Sequence, residues 1–369
     1  MKSSSSASTF GIAATFIGTV IGAGFASGQE VLQYFVRFGP AGAAAIALAA
    51  LLFFGFGALA MWLGHRLDTE RYTVLMRWRG HQAPRLFADF FITLSLFGTF
   101  VIMLAGAGST ISQAIGVPAV AGSVLVGVLC ILNLLGGIDS LVKVQSILVP
   151  CLIVGAVVVA VYSILQPVPN PGLDAAAQVN SSPLINQWTM AGILYVAFNI
   201  QLAIAVLVPL GHGGTPVRSM ILGALFGAIG LGVGAYAVYA AMNANASLVG
   251  TSELPMVDLA DRIGPGWGIG YSVILFFGLY STAVSCFYGT VHRITSSRRL
   301  RTPRMTPTMV GVAVVGILLS SLGFSDLIGI VYPVLGYGGM GIMLILLAAG
   351  WDARRSGARH GTESAEHTR

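Results

Sequence analysis

The sequence predicts an all-α protein that crosses a membrane many times, and three observations carry that reading. Apolar runs of about 20 residues recur along nearly all of the 369 residues, each long enough to cross a hydrocarbon core roughly 30 Å thick. Only 9% of the residues are charged, where a soluble domain carries about 25%. The mean hydropathy is +0.85, and the apolar residues run on instead of alternating with polar ones as in a membrane β-barrel. A soluble globular fold is excluded. The formal charge of +6 then reads as basic loops that orient the chain in a bilayer, and not as a nucleic-acid surface.

Ten spans are expected, at about 9–36, 40–64, 86–115, 118–138, 140–165, 187–211, 217–242, 266–290, 307–323 and 326–350. The start resembles a signal peptide, with Ala26-Ser27-Gly28 as a small-residue cleavage site. The apolar run nevertheless continues past Gln29 and Glu30 to Val36, so it is kept as a helix. With both termini on one side, all 19 Lys and Arg residues except Arg37 and Arg262 fall on that side. The positive-inside rule makes it the cytoplasmic face of the cell (plasma) membrane. The connections 166–186 and 243–265 are then external, and Glu253-Leu-Pro-Met-Val-Asp258 is the place for a short lid helix.

The longest external polar stretch divides the spans five and five. Because five is odd, the second set enters from the opposite face, which is the inverted-repeat arrangement common among secondary transporters. The organisation is therefore a cytoplasmic N-terminus at 1–8, a first repeat at 9–166, an external connection at 167–186, a second repeat at 187–350, and a polar cytoplasmic tail at 351–369 expected to be disordered.

The first span carries Gly18, Gly22, Gly24 and Gly28 within about ten residues, each costing a helix roughly 1 kcal/mol relative to alanine. Two readings stand. Small-xxx-small spacing lets helices pack closely; alternatively the chain unwinds at 22–24, freeing N–H and C=O groups for a solute and a cation around a cavity. The corresponding place in the second half is Tyr195-Val-Ala-Phe198-Asn199-Ile-Gln201. Its two amides mark either an interhelical hydrogen bond or a binding cavity. In the eighth span Ser281 and Ser285 share a helix face with Thr282 beside them. Such hydroxyls usually bond back to the preceding turn, but as a cluster they offer a neutral oxygen cage suited to Na⁺.

Glu30 lies six residues past Gly24, roughly 9 Å further outward along a helix. It is either a functional intramembrane charge, carrying a coupling proton, or a vestibule residue paired with Arg37 or solvent. Cys130, Cys151 and Cys286 all lie in apolar runs without metal spacing. No HExxH, Walker A or GxSxG is present, so no enzyme, cofactor or nucleotide role is expected.

Gly18-Thr-Val-Ile-Gly22-Ala-Gly24-Phe25 resembles the first-helix glycine motif of the amino acid-polyamine-organocation superfamily. The fuller string through Ser27-Gly-Gln29-Glu30 is similar to the YkvI-type family of bacterial membrane proteins. Gly137-Ile-Asp-Ser-Leu-Val-Lys143-Val-Gln-Ser146 is similar to the entry of the fifth helix in amino-acid transporters of the superfamily. The resemblance implies a LeuT fold with discontinuous first and sixth helices. By position it implies substrate contacts at Gly22, Ala23, Gly24 and Phe25, at Phe198, Asn199 and Gln201, and at Thr99 and Phe100. It also implies a sodium site at Ser281 and Thr282, with Ser285 one turn on. The lysine that replaces sodium in some proton-coupled members aligns near Cys151, a neutral residue. The function expected is secondary active transport of a small organic solute, an amino acid or related amine, coupled to Na⁺ or H⁺. The alternative is a non-transporting solute sensor or scaffold of the same fold. The partners expected are the small-molecule solute and the bilayer; oligomeric state is left open.

Overall fold

The computed structural model describes residues 8–76, 81–136, 139–168, 182–212, 214–264, 266–296 and 305–366, and its regular elements are helices. In chain order these are α1 (Thr9–Val20), α2 (Ala23–Ser27), α3 (Gln29–Tyr34), α4 (Ala41–Arg66), α5 (Tyr72–Leu75), α6 (Ala83–Ile115), α7 (Ala119–Gly136), α8 (Asp139–Leu165), α9 (Trp188–Gly211), α10 (Val217–Asn243), α11 (Ala246–Val249), α12 (Pro255–Asp261), α13 (Trp267–Thr295), α14 (Met305–Ser320) and α15 (Phe324–Glu366). Among the described residues seven helices, α4, α6, α8, α9, α10, α13 and α15, contain stretches long and apolar enough to cross a membrane, and α1, α7 and α14 are shorter apolar helices. The protein is a multi-pass membrane protein. Most of the expected connection 167–186, Lys143's side chain and the arginines of 297–304 lie outside what is described.

Two packing groups frame the molecule. In one, α9 packs along α4, and α1 lies on α10, which also packs on α4. In the other, α6 is held by α7, α13 and α14, while α15 lies between α9 and α6. At one end, the basic end, Arg293 of α13 pairs with Asp89 of α6 at 3.6 Å and donates to the Tyr72 hydroxyl of α5. At the other, the lid end, Glu253 accepts from the Ser109 hydroxyl at 2.7 Å and from the Phe324 amide at 3.3 Å. Pro at the first position of α12 starts that lid helix. Gln113 ties it down by donating to Asp258 at 2.7 Å. Burial pushes the Asp258 carboxyl above its ordinary range against the lowering effect of hydrogen bonds from Ser252 and Gln113.

Two expectations are corrected here. The sixth span is one unbroken helix, α9: 193–210 contains no glycine, and the amide groups of Asn199 and Gln201 donate to carbonyls without unwinding it. The tail expected to be disordered continues helix α15 as far as Glu366. Alanine, arginine and glutamate are good helix formers, and extending an existing helix needs no new nucleus.

Candidate functional site

The first span is built in three pieces. After Val20 the chain leaves the helix at Ile21 (φ −76°, ψ 102°) and runs extended through Gly22 (φ −111°, ψ −172°) before α2 begins. The last carbonyls of α1 and the first amides of α2 therefore face the break without helical partners. Between α2 and α3, Gly28 adopts the left-handed conformation at φ 86°. A side chain there would also meet Met256 Cγ at 2.9 Å and the end of Met242.

This second turn corrects the depth assigned to Glu30. Side chains on a helix lean toward its N-terminus, and Glu30 sits in the first turn of α3. Its carboxylate reaches back across Gly28 to Gly24, where a β-carbon would meet Glu30 Oε1, Glu30 Cδ at 3.2 Å and the Tyr332 hydroxyl at 3.4 Å. Glu30 is 4% exposed, its Oε2 has no hydrogen-bond partner, and the Tyr195 hydroxyl engages the carboxyl group. Nor does it pair with Arg37, which donates twice to the Ser182 carbonyl at 3.2 Å. Among the described residues no ion pair reaches Glu30. At the break itself a β-carbon on Gly22 would meet nothing within 4 Å.

Aromatic rings surround this carboxylate. Tyr34, its hydroxyl buried and unpartnered, lies 5.4 Å from the Tyr195 ring, and Tyr195 is braced edge-on by Phe35 and Phe53. Across from them Phe198 stacks on Tyr332 with centroids 4.1 Å apart and planes 22° apart. None of the three tyrosines was singled out from sequence. The available signal was that a phenol inside an apolar span needs a polar partner, and Tyr195 stood in the motif that named Phe198.

The expected residues divide. Gly22, Gly24, Phe198 and Glu30 converge on the break, and Ala23 lies beside Gly278 of α13. Thr99, buried with an unpartnered hydroxyl, sits on the arc of α6 between Gly98, which meets α15, and Leu96, which meets α13. Phe100 turns away, packing on Phe287 at 5.0 Å and under Gly316, and Phe25 points to Gly234 of α10. Asn199 donates to its own helix at the Tyr195 carbonyl, 2.8 Å. Gln201 donates to the Leu335 carbonyl of α15 at 3.1 Å, the interhelical alternative.

On α13, Ser281 is buried and its hydroxyl has no partner. Thr282 donates to the Gly278 carbonyl at 2.9 Å, which leaves its oxygen lone pairs free to accept. Ser285 is exposed and donates to the Ser281 carbonyl at 3.0 Å. In the fifth span Cys151 is exposed, and its neighbour Leu152 meets Gly278.

The two ends of the site differ. Toward the lid end every residue of α2 and α3 is buried. Tyr271 donates to the Ala26 carbonyl at 2.5 Å, Gln29 to the Ser252 carbonyl, Ser325 to Gln29 at 3.4 Å and Gln33 to Ser325 at 3.3 Å. Toward the basic end Ala14, Thr15 and Ser285 are exposed, and Gly18, Thr19, Gly22 and Thr282 are partly so. A separate cavity of about 310 Å³ lies at the lid end, lined by Ser109, Gln113, Glu253 and Ser320 among others.

No family model matches the chain. It is 26% identical to the uncharacterized membrane protein YkvI of Bacillus subtilis over 94% of this chain and 97% of that one. Among solved structures it is similar to the inward-facing conformation of Mhp1, with TM-score 0.63 and 16% identity over 94% of this chain and 76% of that one. It is also similar to MhsT in complex with L-phenylalanine, with TM-score 0.58 and 17% identity over 93% and 96%. The chain has the fold of these LeuT-fold proteins.

Proposed function

We propose that the protein is a secondary active transporter of a small organic solute, not an enzyme, built as two inverted five-helix repeats in the plasma membrane with both termini cytoplasmic. The observation that carries this reading is the break at Ile21 and Gly22, beside a buried polar site whose lid side, α2 and α3, is wholly buried while residues of α1 and α13 on its basic side, Thr15 and Ser285 among them, are exposed. A site with one closed and one open approach is what alternating access requires, and irregular backbone at this depth belongs to a cavity. The similar proteins support it: Mhp1 is described as a nucleobase-cation-symport-1 family transporter.

Sodium is the coupling ion we favour. The buried hydroxyl of Ser281 lacks a partner, and with Thr282 it lies a turn toward the basic end from Gly278, which touches Ala23. Both hydroxyls then stand at the depth of the last turn of α1, whose end carbonyls lack helical partners. Neutral oxygens of this kind suit a small hard cation. Proton coupling through Glu30 is the second reading, favoured by its burial without a basic partner.

Proteoliposomes test the proposal. An imposed inward Na⁺ gradient should drive uptake from a panel of amino acids, amines and nucleobases. Ser281→Ala should then raise the Na⁺ concentration needed by roughly tenfold, the loss of about one good ligand interaction. Uptake driven by a pH gradient alone, and abolished in Glu30→Gln, would replace sodium by the proton. Solute binding without uptake under either gradient would turn the reading to a sensor.

A further inference from the structure

The ends of α4 and α15 come together at the basic end. A β-carbon on Gly350 of α15 would meet Leu59 Cδ1 of α4 at 3.0 Å, and one turn further the Arg354 guanidinium sits over the Trp62 ring at 5.7 Å. Arg355 sits over Trp351, one turn back on its own helix, at 4.9 Å. Arg66 follows Trp62 by four residues and so shares its face of α4. Arg66, Arg354, Arg355 and Trp351 are all exposed. Within 62–66 and 351–355 these three arginines have one acidic neighbour, Asp352; Asp68 and Glu70, just past α4, are turned to His212 at 2.9 and 3.8 Å.

We propose that this rim binds an anionic phospholipid, its phosphate held by Arg66, Arg354 and Arg355 and its acyl chains lying along the exposed face of α15. A guanidinium lying on an indole is held by the ring while the donors at its edge stay free, and that planar fork matches a phosphate two bonds at a time. Neighbouring residues supply the reason for a lipid over a soluble phosphate. Leu344, Leu347, Trp351 and Arg355 recur at helical spacing on one face of α15, and all four are exposed. Along the helix that face passes from aliphatic to indole to cation, the order of a lipid from tail to headgroup. A soluble anion would use only the last of them. A choline or ethanolamine headgroup would bring its own cation against the arginines, so the net-negative headgroup is selected. Helix α4 packs with α9 and α10, and α15 also packs on α6, so the bound headgroup braces helices of both packing groups.

Tryptophan quenching tests this directly. The full chain carries five tryptophans; with Trp78→Phe, Trp188→Phe and Trp267→Phe, only Trp62 and Trp351 emit. In phosphatidylcholine bilayers, brominated phosphatidylglycerol should quench them at a mole fraction about tenfold lower than brominated phosphatidylcholine does. Replacing both arginines, Arg354→Gln with Arg355→Gln, should make the two brominated lipids quench alike. The pair Arg354→Lys with Arg355→Lys keeps the charge but loses the stacked fork, and should reduce the preference to about threefold. Inorganic phosphate should leave the quenching unchanged.

Four results overturn the inference: equal quenching by the two lipids in the parent chain, a preference that survives both glutamines, a preference undiminished by both lysines, which would reduce the site to charge alone, or displacement of the brominated lipid by inorganic phosphate, which would make it a site for a soluble anion. Binding is read without transport, so each of these leaves the proposed function where it stood.

Discussion

The first span and α9 were expected to do the same thing, and they do not. Both carry polar residues deep in an apolar run. In the first span the chain breaks at Ile21 and Gly22 and turns again at Gly28, and the carboxylate of Glu30 is left without a full set of partners. In α9 the helix is intact, Asn199 donates one turn back, and Gln201 donates to the Leu335 carbonyl, with only its Oε1 left without a partner. Helical residues that can reach a carbonyl stabilise packing. Glycines that release the backbone, followed by a long acidic side chain, leave unmet bonding capacity that a ligand can use.

Four substitutions would break or sharpen that contrast. The largest effect is expected from Gly28→Val, which forces a β-branched residue to positive φ against Met242 and Met256. It should cost upward of about 3 kcal/mol and show as loss of monodisperse protein, whereas Ala205→Val on the exposed side of α9 should stay within about 0.5 kcal/mol. Next, Gln201→Leu removes the bond to the Leu335 carbonyl, which keeps its own helical partner within α15, and should lower stability by about 0.5–1.5 kcal/mol without altering the Na⁺ response; an altered response would bring α9 into the site.

Gly22→Ala follows, with the opposite sign. The backbone there suits alanine and nothing crowds the new methyl group. Thermal stability should rise by about 0.4–1 kcal/mol, while gradient-driven uptake falls as the methyl enters the open space. Unchanged uptake would argue that the space beside Gly22 is not used. Smallest is Asn199→Ala: it loses a hydrogen bond within its own helix but gains helix propensity, so stability should move by only a few tenths of a kcal/mol and uptake should persist.

Much of the architecture was legible in the sequence because membrane spans are a one-dimensional signal: length and apolarity suffice. The glycine cluster marked where helical geometry lapses, since each glycine weakens the helix. What could not be read were directions. The depth of Glu30 was misjudged because counting residues along an axis ignores a side chain that points back toward the N-terminus, and a left-handed residue that turns the axis. Whether Asn199 bonds to its own turn or to a solute has no sequence signature. Tyr34, Tyr195 and Tyr332 are far apart in the chain and meet only through the packing of α9 and α15 around α3. Cys151 and Leu152 show the same limit at its smallest: one residue of register decides between an exposed face and contact with Gly278.

Helix α3 joins two of these features in six residues. Its Glu30 faces the break, while Gln29 and Gln33 hold Ser252 and Ser325 at the lid end. On the proposed function, occupancy of the site at Glu30 and the lid-end contacts would be linked through this one short segment. Linkage is reciprocal, so whatever factor lid closure contributes to affinity, occupancy returns to the closing equilibrium. A substitution at Ser252 or Ser325, neither of which touches Glu30 in this structure, would then be read out as altered affinity.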